Sequence, residues 1–101
     1  REMSEYLSRD TETSQWLSDL LASTTRSFIR NGIADDQALV RNKAGWISED
    51  GCYSTCDACL IDVDGDTYIM SIMTSMPWSD RSSELVAAIA KTFFDTRAAL
   101  A

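Results

Sequence analysis

The dipeptide Asp64-Gly65 constrains the fold of this chain more than any other feature, because it lies between two runs of strand-forming residues. One run passes through Cys59-Leu60-Ile61 to Val63, and the other extends from Tyr68 to Thr74. Asp-Gly is typical of a two-residue turn with positive φ angles, so the two runs are predicted to pair as an antiparallel hairpin. Apolar residues at neighbouring positions of both runs indicate a sheet that is covered on both faces.

A third strand is predicted on the N-terminal side of this hairpin. The segment from Ala38 to Ile47 has an extended pattern, and Ser48-Glu49-Asp50-Gly51 is typical of a turn that leads into the long strand ending at Val63. The sequence therefore predicts three antiparallel strands in sequence order.

A helix is predicted before the sheet, from Thr13 to about Arg30, with Thr11 or Thr13 as its cap. The hydroxyl-rich segment Ser23-Thr24-Thr25, with its two β-branched threonines, is expected to weaken or break it, and Asn31-Gly32 is predicted to stop it in a left-handed conformation. Asp35-Asp36 is predicted to be an exposed loop. The predicted buried stripe consists of Trp16, Leu17, Leu20, Leu21, Phe28 and Ile29.

A second helix is predicted after Pro77-Trp78, with Ser79 or Asp80 as its cap. Its predicted apolar stripe consists of Leu85, Val86, Ile89, Phe93 and Leu100. The fold class is therefore α+β, an α/β sandwich fragment in which an amphipathic helix, a three-stranded antiparallel sheet and a C-terminal helix follow one another. Residues 1–101 are expected to form a single domain.

Composition excludes several kinds of partner. The 101 residues include 16 acidic and 9 basic side chains, a net charge of -7, and no His. Nucleic-acid binding depends on clustered Lys and Arg, so no nucleic-acid partner is expected. Without His, neither a His-containing zinc site nor a serine-protease triad is expected, and no cofactor is predicted. The longest apolar stretch, Leu85 to Ala90, is far shorter than the roughly 20 residues of a membrane span.

The stretch Asn42-Lys43-Ala44-Gly45-Trp46 is the strongest candidate for a functional site. A Lys inside a partly buried strand is costly unless its ammonium is paired or reaches water. Gly45, which follows a small residue, leaves strand backbone uncovered, so that a ligand can lie alongside it.

These residues resemble the active-site strand of class A β-lactamases and related penicillin-binding serine hydrolases, which carry a Lys-Thr-Gly or Lys-Ser-Gly box. The box here is Lys43-Ala44-Gly45, and a helix, a loop, a hairpin and a terminal helix surround it in the same order from about Thr13 onward. The resemblance implies part of the β-lactamase / D-Ala-D-Ala transpeptidase-like fold. It also implies acyl transfer from β-lactams or D-alanyl peptides.

Residue roles follow from the same resemblance. Lys43 is expected to attract the substrate carboxylate, and the backbone N–H of Trp46 to be one of two oxyanion-hole donors. Gly45 is expected to let the acyl group approach the strand. Ala44 lies in the substrate-binding strand but lacks the hydroxyl that binds the substrate carboxylate, a loss on the order of 1.5 to 3 kcal/mol. Asp57 corresponds to a structural acid on the next strand.

The nucleophile of such an enzyme is missing from the sequence. No Ser is followed three residues later by Lys, and Ser-Asp-Asn does not occur. Because these elements precede the box in the family, and because Arg1 to Asp10 already resembles the inside of a polar helix, we expect the C-terminal segment of an incomplete domain. The isolated chain is then inactive and needs a second chain or a swapped homo-oligomer, and the family implies an extracytoplasmic location. The alternative is a degenerate relative that binds or assembles without catalysis.

Three further patterns offer competing interpretations. Cys52, Cys56 and Cys59 have the spacing of radical S-adenosylmethionine enzymes, which would make the chain an iron–sulfur protein, although buried free thiols or one disulfide remain alternatives. Asp62-Val63-Asp64-Gly65-Asp66 resembles the start of a calcium loop, but Thr67 replaces the turn glycine and favours a hairpin. Core or interface packing is predicted for the aromatic residues Trp16, Trp78, Phe93 and Phe94.

Overall fold

The computed structural model of the protein describes residues 1–24, 27–33 and 37–100. Two short helices precede a three-stranded sheet, and a long helix follows it. The elements are α1 (Glu2–Leu7), α2 (Glu12–Ala22), a 3-10 helix (Arg30–Gly32), β1 (Leu39–Glu49), β2 (Cys52–Val63), β3 (Asp66–Thr74), α3 (Asp80–Asp95) and a second 3-10 helix (Arg97–Leu100). The predicted α+β class is confirmed. Within the described ranges, no helix is long and apolar enough to cross a membrane.

The sheet has the predicted order β1-β2-β3, and both pairs of neighbouring strands are antiparallel. At the second turn Asp64 has φ 53° and Gly65 has φ 84°, so the predicted Asp-Gly hairpin is confirmed. The first turn is shorter than predicted, because β1 continues to Glu49, which pairs with Cys52. Only two residues connect these strands, and Gly51 among them has φ 75°.

Alternation along the strands gives the sheet two different faces. On the helix-covered face, residues of all three strands pack against α3 and the segment around the first 3-10 helix. The buried cluster there consists of Phe28, Ile29, Ile33, Val40, Ala44, Cys59, Ile61, Val63, Ile72, Val86, Ala90 and Phe94. The opposite face, which we call the open face, is bordered by α1 and α2 near the buried Leu60. Farther out, Ile69 is 56% and Met73 is 79% exposed, so the prediction of two covered faces is wrong for this part.

Helix α2 is shorter than the predicted helix. Thr11 caps it as predicted, since Thr11 Oγ1 accepts from the Ser14 N–H at 3.1 Å, and the helix ends at Ala22, where the hydroxyl-rich segment begins. Trp16 is 63% and Leu20 is 48% exposed, which contradicts the predicted buried stripe. The sequence predicts one helical stripe that joins these two residues to Phe28 and Ile29. The latter two are buried, but they lie in a separate turn after the helix.

The prediction of a left-handed stop at Asn31-Gly32 is also wrong. These residues lie in the first 3-10 helix, and the described glycines with positive φ are Gly51 and Gly65. Gly32 is required for another reason: a Cβ there would lie 2.1 Å from the carbonyl oxygen of Ala87 in α3. The glycine therefore permits close approach of two backbones. The predicted loop Asp35-Asp36 lies outside the described residues.

Helix α3 begins after Ser79, whose Oγ accepts from the Ser82 N–H at 3.2 Å. Its buried apolar residues are Val86, Ala90 and Phe94, so the predicted burial of Val86 is confirmed. Leu85 and Phe93, predicted on the same stripe, are 41% and 50% exposed. Residues four apart lie on one side of a helix, and the side that faces the sheet is centred one position later than predicted. The small side chain of Ala90 suits the close contact of this helix with its neighbours. Leu100, also predicted on the stripe, lies beyond α3 in the second 3-10 helix.

We predict that Gly32→Ala lowers the free energy of unfolding by about 3 kcal/mol or more, because the new methyl group meets a backbone carbonyl that cannot move without shifting α3. Gly45→Ala is the matched control. No atom lies within 4 Å of a Cβ at Gly45, so the change there should stay within about 1 kcal/mol. Urea denaturation followed by circular dichroism measures both values, and equal values for the two variants would contradict the proposed backbone contact.

Candidate functional site

Lys43 lies in the middle of β1, an edge strand that pairs with β2. Its neighbours Asn42 and Ala44 are 1% and 5% exposed on the helix-covered face, so alternation directs the Lys43 side chain to the open face. The residue is exposed, and its ammonium donates a hydrogen bond to the carbonyl oxygen of Ala44. Although the strand is partly buried, the Lys43 ammonium therefore reaches solvent.

The amide of Trp46 has the same orientation in β1 as the backbone groups of Ala44. In an antiparallel ladder, successive residues direct their N–H and C=O groups to alternate edges, and these two residues are two positions apart. The carbonyl that holds the Lys43 ammonium and the Trp46 N–H therefore belong to one edge of the strand. This edge brings a fixed cation and a fixed donor into the same region.

Gly45 lies between these groups and faces open space. No atom lies within 4 Å of the position that a Cβ would occupy, and its cross-strand partner is Cys56. A ligand can approach the backbone at this point without meeting a side chain of Gly45. The side chain of Ala44, by contrast, is a buried methyl group on the opposite face. The four predicted site residues are therefore close in space, but the Ala44 side chain points away from the Lys43 side chain.

The groove beside Lys43 has a volume of about 210 Å³ and lies between α1 and the open face. Its apolar walls include Leu7 and Leu60. Arg41 also lines it, and its guanidinium is already paired, with Nη2 lying 2.5 Å from Asp62 Oδ2 and Nη1 donating to Ser18 Oγ at 3.0 Å. Lys43, in contrast, is exposed, and its ammonium makes no ion pair with the described acidic residues.

The Trp46 side chain takes part in an aromatic cluster at the end of β1. Its ring lies 5.4 Å from the ring of Trp78, with an angle of 32° between the planes, and 6.3 Å from the ring of Phe28 in an edge-to-face arrangement. Trp46 and Trp78 are 43% and 44% exposed, whereas Phe28 is buried. Core or interface packing is predicted for four aromatic residues. Of these, Phe94 lies in the core, Trp78 packs on Trp46, and Trp16 and Phe93 are 63% and 50% exposed.

The Asp57 carboxylate organises the structure behind the site. Its Oδ2 accepts hydrogen bonds from Ser27 Oγ at 3.0 Å and from the backbone N–H groups of Phe28 and Ile29 at 2.9 and 3.0 Å. Its Oδ1 accepts from Asn42 Nδ2 at 3.1 Å. Four donors from two other segments thus converge on one side chain that is 1% exposed. The structural role predicted for this acid agrees with its position.

Sequence reasoning did not identify the remaining members of this network. Asn42 Oδ1 accepts from Arg30 Nη2 at 3.1 Å and from Thr24 Oγ1. Arg30 also donates to the backbone carbonyls of Thr24 and Val40, both at 2.7 Å. One signal could have identified Asn42: if the adjacent Lys43 faces water, Asn42 must face the core and needs hydrogen-bond partners there. We refer to Asp57, Asn42, Arg30, Ser27 and Thr24 as the Asp57 network.

The three cysteines are free and do not converge. Cys59 is buried on the helix-covered face, Cys56 points to the open face, where its Sγ lies 2.9 Å from Ser54 Oγ, and Cys52 is exposed near the first turn. No group of three His, Cys, Asp or Glu side chains suited to a metal occurs among the described residues. Alternation along β2 directs Cys56 and Cys59 to opposite faces of the sheet, so these two thiols do not meet as an iron–sulfur site requires.

The segment that resembles the start of a calcium loop is a hairpin, as the sequence predicts. Asp62 uses Oδ1 to accept from Thr67 Oγ1 at 2.6 Å and Oδ2 to bind Arg41. Asp64 and Gly65 form the turn itself. The carboxylate of Asp62 is therefore used across the hairpin and within the sheet.

We predict that Asp57→Ala lowers the free energy of unfolding by about 3–5 kcal/mol, because it leaves several buried donors without an acceptor. Asp19→Ala, at an exposed position of α2, is the control and should change stability by less than about 0.5 kcal/mol. Chemical denaturation measures both. A loss below about 1 kcal/mol for Asp57→Ala would show that the network does not stabilise the fold.

Burial raises the pKa of the Cys59 thiol from 9.0 to about 12, and the nearby negative charge of Asp57 also contributes to this increase. The folded protein keeps this proton at a pH where the unfolded chain releases it. Its contribution to stability is therefore complete below pH 9 and is lost as the pH rises towards 12, with a slope of at most about 1.4 kcal/mol per pH unit.

Cys59→Ala should consequently show a flatter decline in unfolding free energy between pH 9 and 11 than the unmodified protein. Cys52→Ala, which removes an exposed thiol, should retain the original slope. Denaturation curves at several pH values provide the comparison, and identical slopes for all three proteins would refute the role assigned to Cys59.

Comparison with known proteins identifies the family of the chain as a whole. Searches of curated proteins and of solved structures gave no significant match. A family model described as the β-lactamase enzyme family matches residues 4–96, which is more than nine-tenths of the chain. The match includes the last four residues of α1, all of α2, all three strands and α3. On this basis the chain belongs to the β-lactamase enzyme family, a family of β-lactamase-like hydrolases.

Proposed function

We propose that β1 forms one wall of an acyl-transfer site in a serine hydrolase that acts on β-lactams or D-alanyl peptides. The observation that carries the proposal is the position of the Lys43 ammonium. It is held at the Ala44 carbonyl, on the strand edge that also carries the Trp46 N–H, beside the open space at Gly45. A cation, a backbone donor and an uncovered strand are the parts that such a site needs from this segment.

Each residue has a definite role in this proposal. The Lys43 ammonium attracts the substrate carboxylate, which matters in a chain whose net charge is -7 and would otherwise repel anions. The Trp46 N–H donates to the carbonyl oxygen of the acyl group as it becomes an oxyanion. Gly45 provides the space in which the acyl group lies against the strand. Ala44 contributes strand backbone to substrate binding, without the hydroxyl of the related box.

The chemistry needs groups from outside residues 1–101. A serine hydroxyl attacks the acyl carbonyl, and its proton passes to a base. The tetrahedral oxyanion collapses to an acyl-enzyme as the C–N bond breaks and the base returns the proton to the leaving nitrogen, and water then hydrolyses the acyl ester and frees the serine hydroxyl. In this proposal the serine and its lysine lie outside the sequence, so residues 1–101 are the C-terminal part of a domain. A second chain or a swapped copy completes the site. No cofactor takes part, and the location is extracytoplasmic, as is common in the family.

A second candidate is a relative that binds such ligands without catalysis. The observation that favours it is the buried methyl of Ala44, which is 5% exposed and cannot anchor a carboxylate. Both candidates place the ligand along β1, and they differ in whether a complete protein turns the ligand over. Hydrolysis of a chromogenic cephalosporin by the complete protein supports the enzyme, whereas ligand binding without turnover supports the binding protein.

The common part of the proposal is tested by titrating the isotope-labelled chain with acetyl-D-Ala-D-Ala and recording amide chemical shifts. We expect the largest shifts at Gly45 and Trp46, without any hydrolysis by the chain alone. Lys43→Ala should weaken the binding about threefold to tenfold, because the carboxylate loses an opposite charge. Lys91→Ala, which removes an exposed Lys of α3, should leave it unchanged.

Shifts confined to other surfaces, or none at β1, would contradict the proposed site. Hydrolysis by the isolated chain would contradict the assignment of the nucleophile to residues outside it.

A further inference from the structure

The residue that supplies the proposed oxyanion donor also supplies an indole. The amide of Trp46 lies along the edge of β1, while its side chain lies on the helix-covered face near the end of the strand. Any acyl group that binds the amide through its carbonyl therefore has the indole within the length of one side chain. The inference below rests on the proposed function, because it concerns the same ligand at the same strand.

Trp78 has a fixed position beside this indole. Its ring lies 5.4 Å from that of Trp46, and Phe28, which is 2% exposed, supports the Trp46 ring edge-on from the core. Each indole still exposes more than two-fifths of its surface. The pair thus has a rigid inner side and a solvent-accessible outer part, as a stacking surface for a planar ligand group requires.

The chain before and after Trp78 is tied to the sheet and to α3. Thr55 Oγ1 donates to the carbonyl of Met76 at 2.9 Å, and Thr74 Oγ1 accepts from the Met76 N–H at 3.3 Å. On the other side, Ser79 caps α3. Since both flanks are held by hydrogen bonds, little conformational entropy remains to be lost when a ligand contacts the ring.

The hydroxyl groups of Thr55, which lies opposite Trp46, and of Thr74 already donate within the protein, to the carbonyls of Met76 and Thr55. Ala44 precedes Trp46 on the same face and offers a buried methyl group, so it cannot hydrogen-bond a ligand through its side chain. An aromatic surface binds a planar apolar group better than a charged group. Ring stacking and the removal of apolar surface from water both favour binding of the planar apolar group. Recognition on this side of the carbonyl therefore depends on a ring.

We propose that Trp46 and Trp78 form a specificity subsite that selects acyl groups whose amino substituent carries an aromatic ring, about five bonds from the acyl carbonyl carbon. In this arrangement the carbonyl oxygen binds the Trp46 N–H, the carboxylate is attracted by Lys43, and the ring stacks on the indole pair. Ligands with a small aliphatic acyl group engage the strand but not the pair.

The test compares phenylacetyl-D-Ala-D-Ala with acetyl-D-Ala-D-Ala on the labelled chain. The phenylacetyl ligand should bind at least about fivefold more tightly and should shift the indole N–H signals of Trp46 and Trp78. The indole of Trp16, which is 63% exposed on α2, is the internal control and should not move. The acetyl ligand should shift the β1 amides and none of the three indoles.

Variants separate stacking from folding. Trp78→Ala should abolish the preference for the phenylacetyl ligand while leaving the affinity for the acetyl ligand unchanged, and Trp16→Ala should alter neither. Trp78→Leu, which retains apolar bulk, replaces Trp78→Ala if the amide spectrum shows that the alanine variant is unfolded, and it too should lose the preference.

The outcomes distinguish this inference from the function on which it rests. Equal binding of both ligands, with shifts at Gly45 and Trp46 in each case, would overturn the ring subsite and leave the proposed function standing. A preference that survives in both Trp78 variants would overturn it as well. Absence of β1 shifts with either ligand would overturn the proposed function itself.

Discussion

The carboxylate of Asp57 is the group on which the other parts of the structure depend. It lies in the central strand and accepts hydrogen bonds from the turn at Ser27–Ile29 and from Asn42 of the edge strand. The turn leads into the first 3-10 helix, whose Gly32 lies against the backbone of α3. One buried acid therefore links β2 to β1, to the segment after α2 and, through that segment, to the terminal helix. A buried carboxylate is costly, and its four donors offset that cost.

The same network determines how β1 presents its functional residues. Because Asn42 is held in the core by Asp57, Arg30 and Thr24, the next residue must face the other side of the strand. The burial of Asn42 thus directs the side chain of its neighbour Lys43 to the open face. The strand that carries the proposed donor and cation does not need the ligand to set its geometry, which is the usual requirement for electrostatic stabilisation by fixed groups.

Membership of the β-lactamase enzyme family and the geometry of β1 concern different properties. The family match applies to the chain as a whole and agrees with the order of its helices and strands. The geometry concerns one edge of one strand. In the proposed function the chain supplies the cation, the backbone donor and the aromatic surface, while the reacting nucleophile is supplied from elsewhere. Under the proposed ring subsite, Trp46 carries both a catalytic amide and a selective side chain.

The sequence by itself determined the local features: the Asp64-Gly65 turn, the order of three antiparallel strands, the caps at Thr11 and Ser79, and the box that begins at Lys43. Each depends on residues close together in the chain, where dihedral preferences and short hydrogen bonds decide the outcome. Only the tertiary structure decided that Trp16 is exposed, that Leu85 and Phe93 of α3 are exposed while Ala90 is buried, that Gly32 serves a helix contact, and that Arg30 and Thr24 bind Asn42. These outcomes depend on which surfaces meet in space, and periodicity along one segment carries no information about the partner segment that covers it.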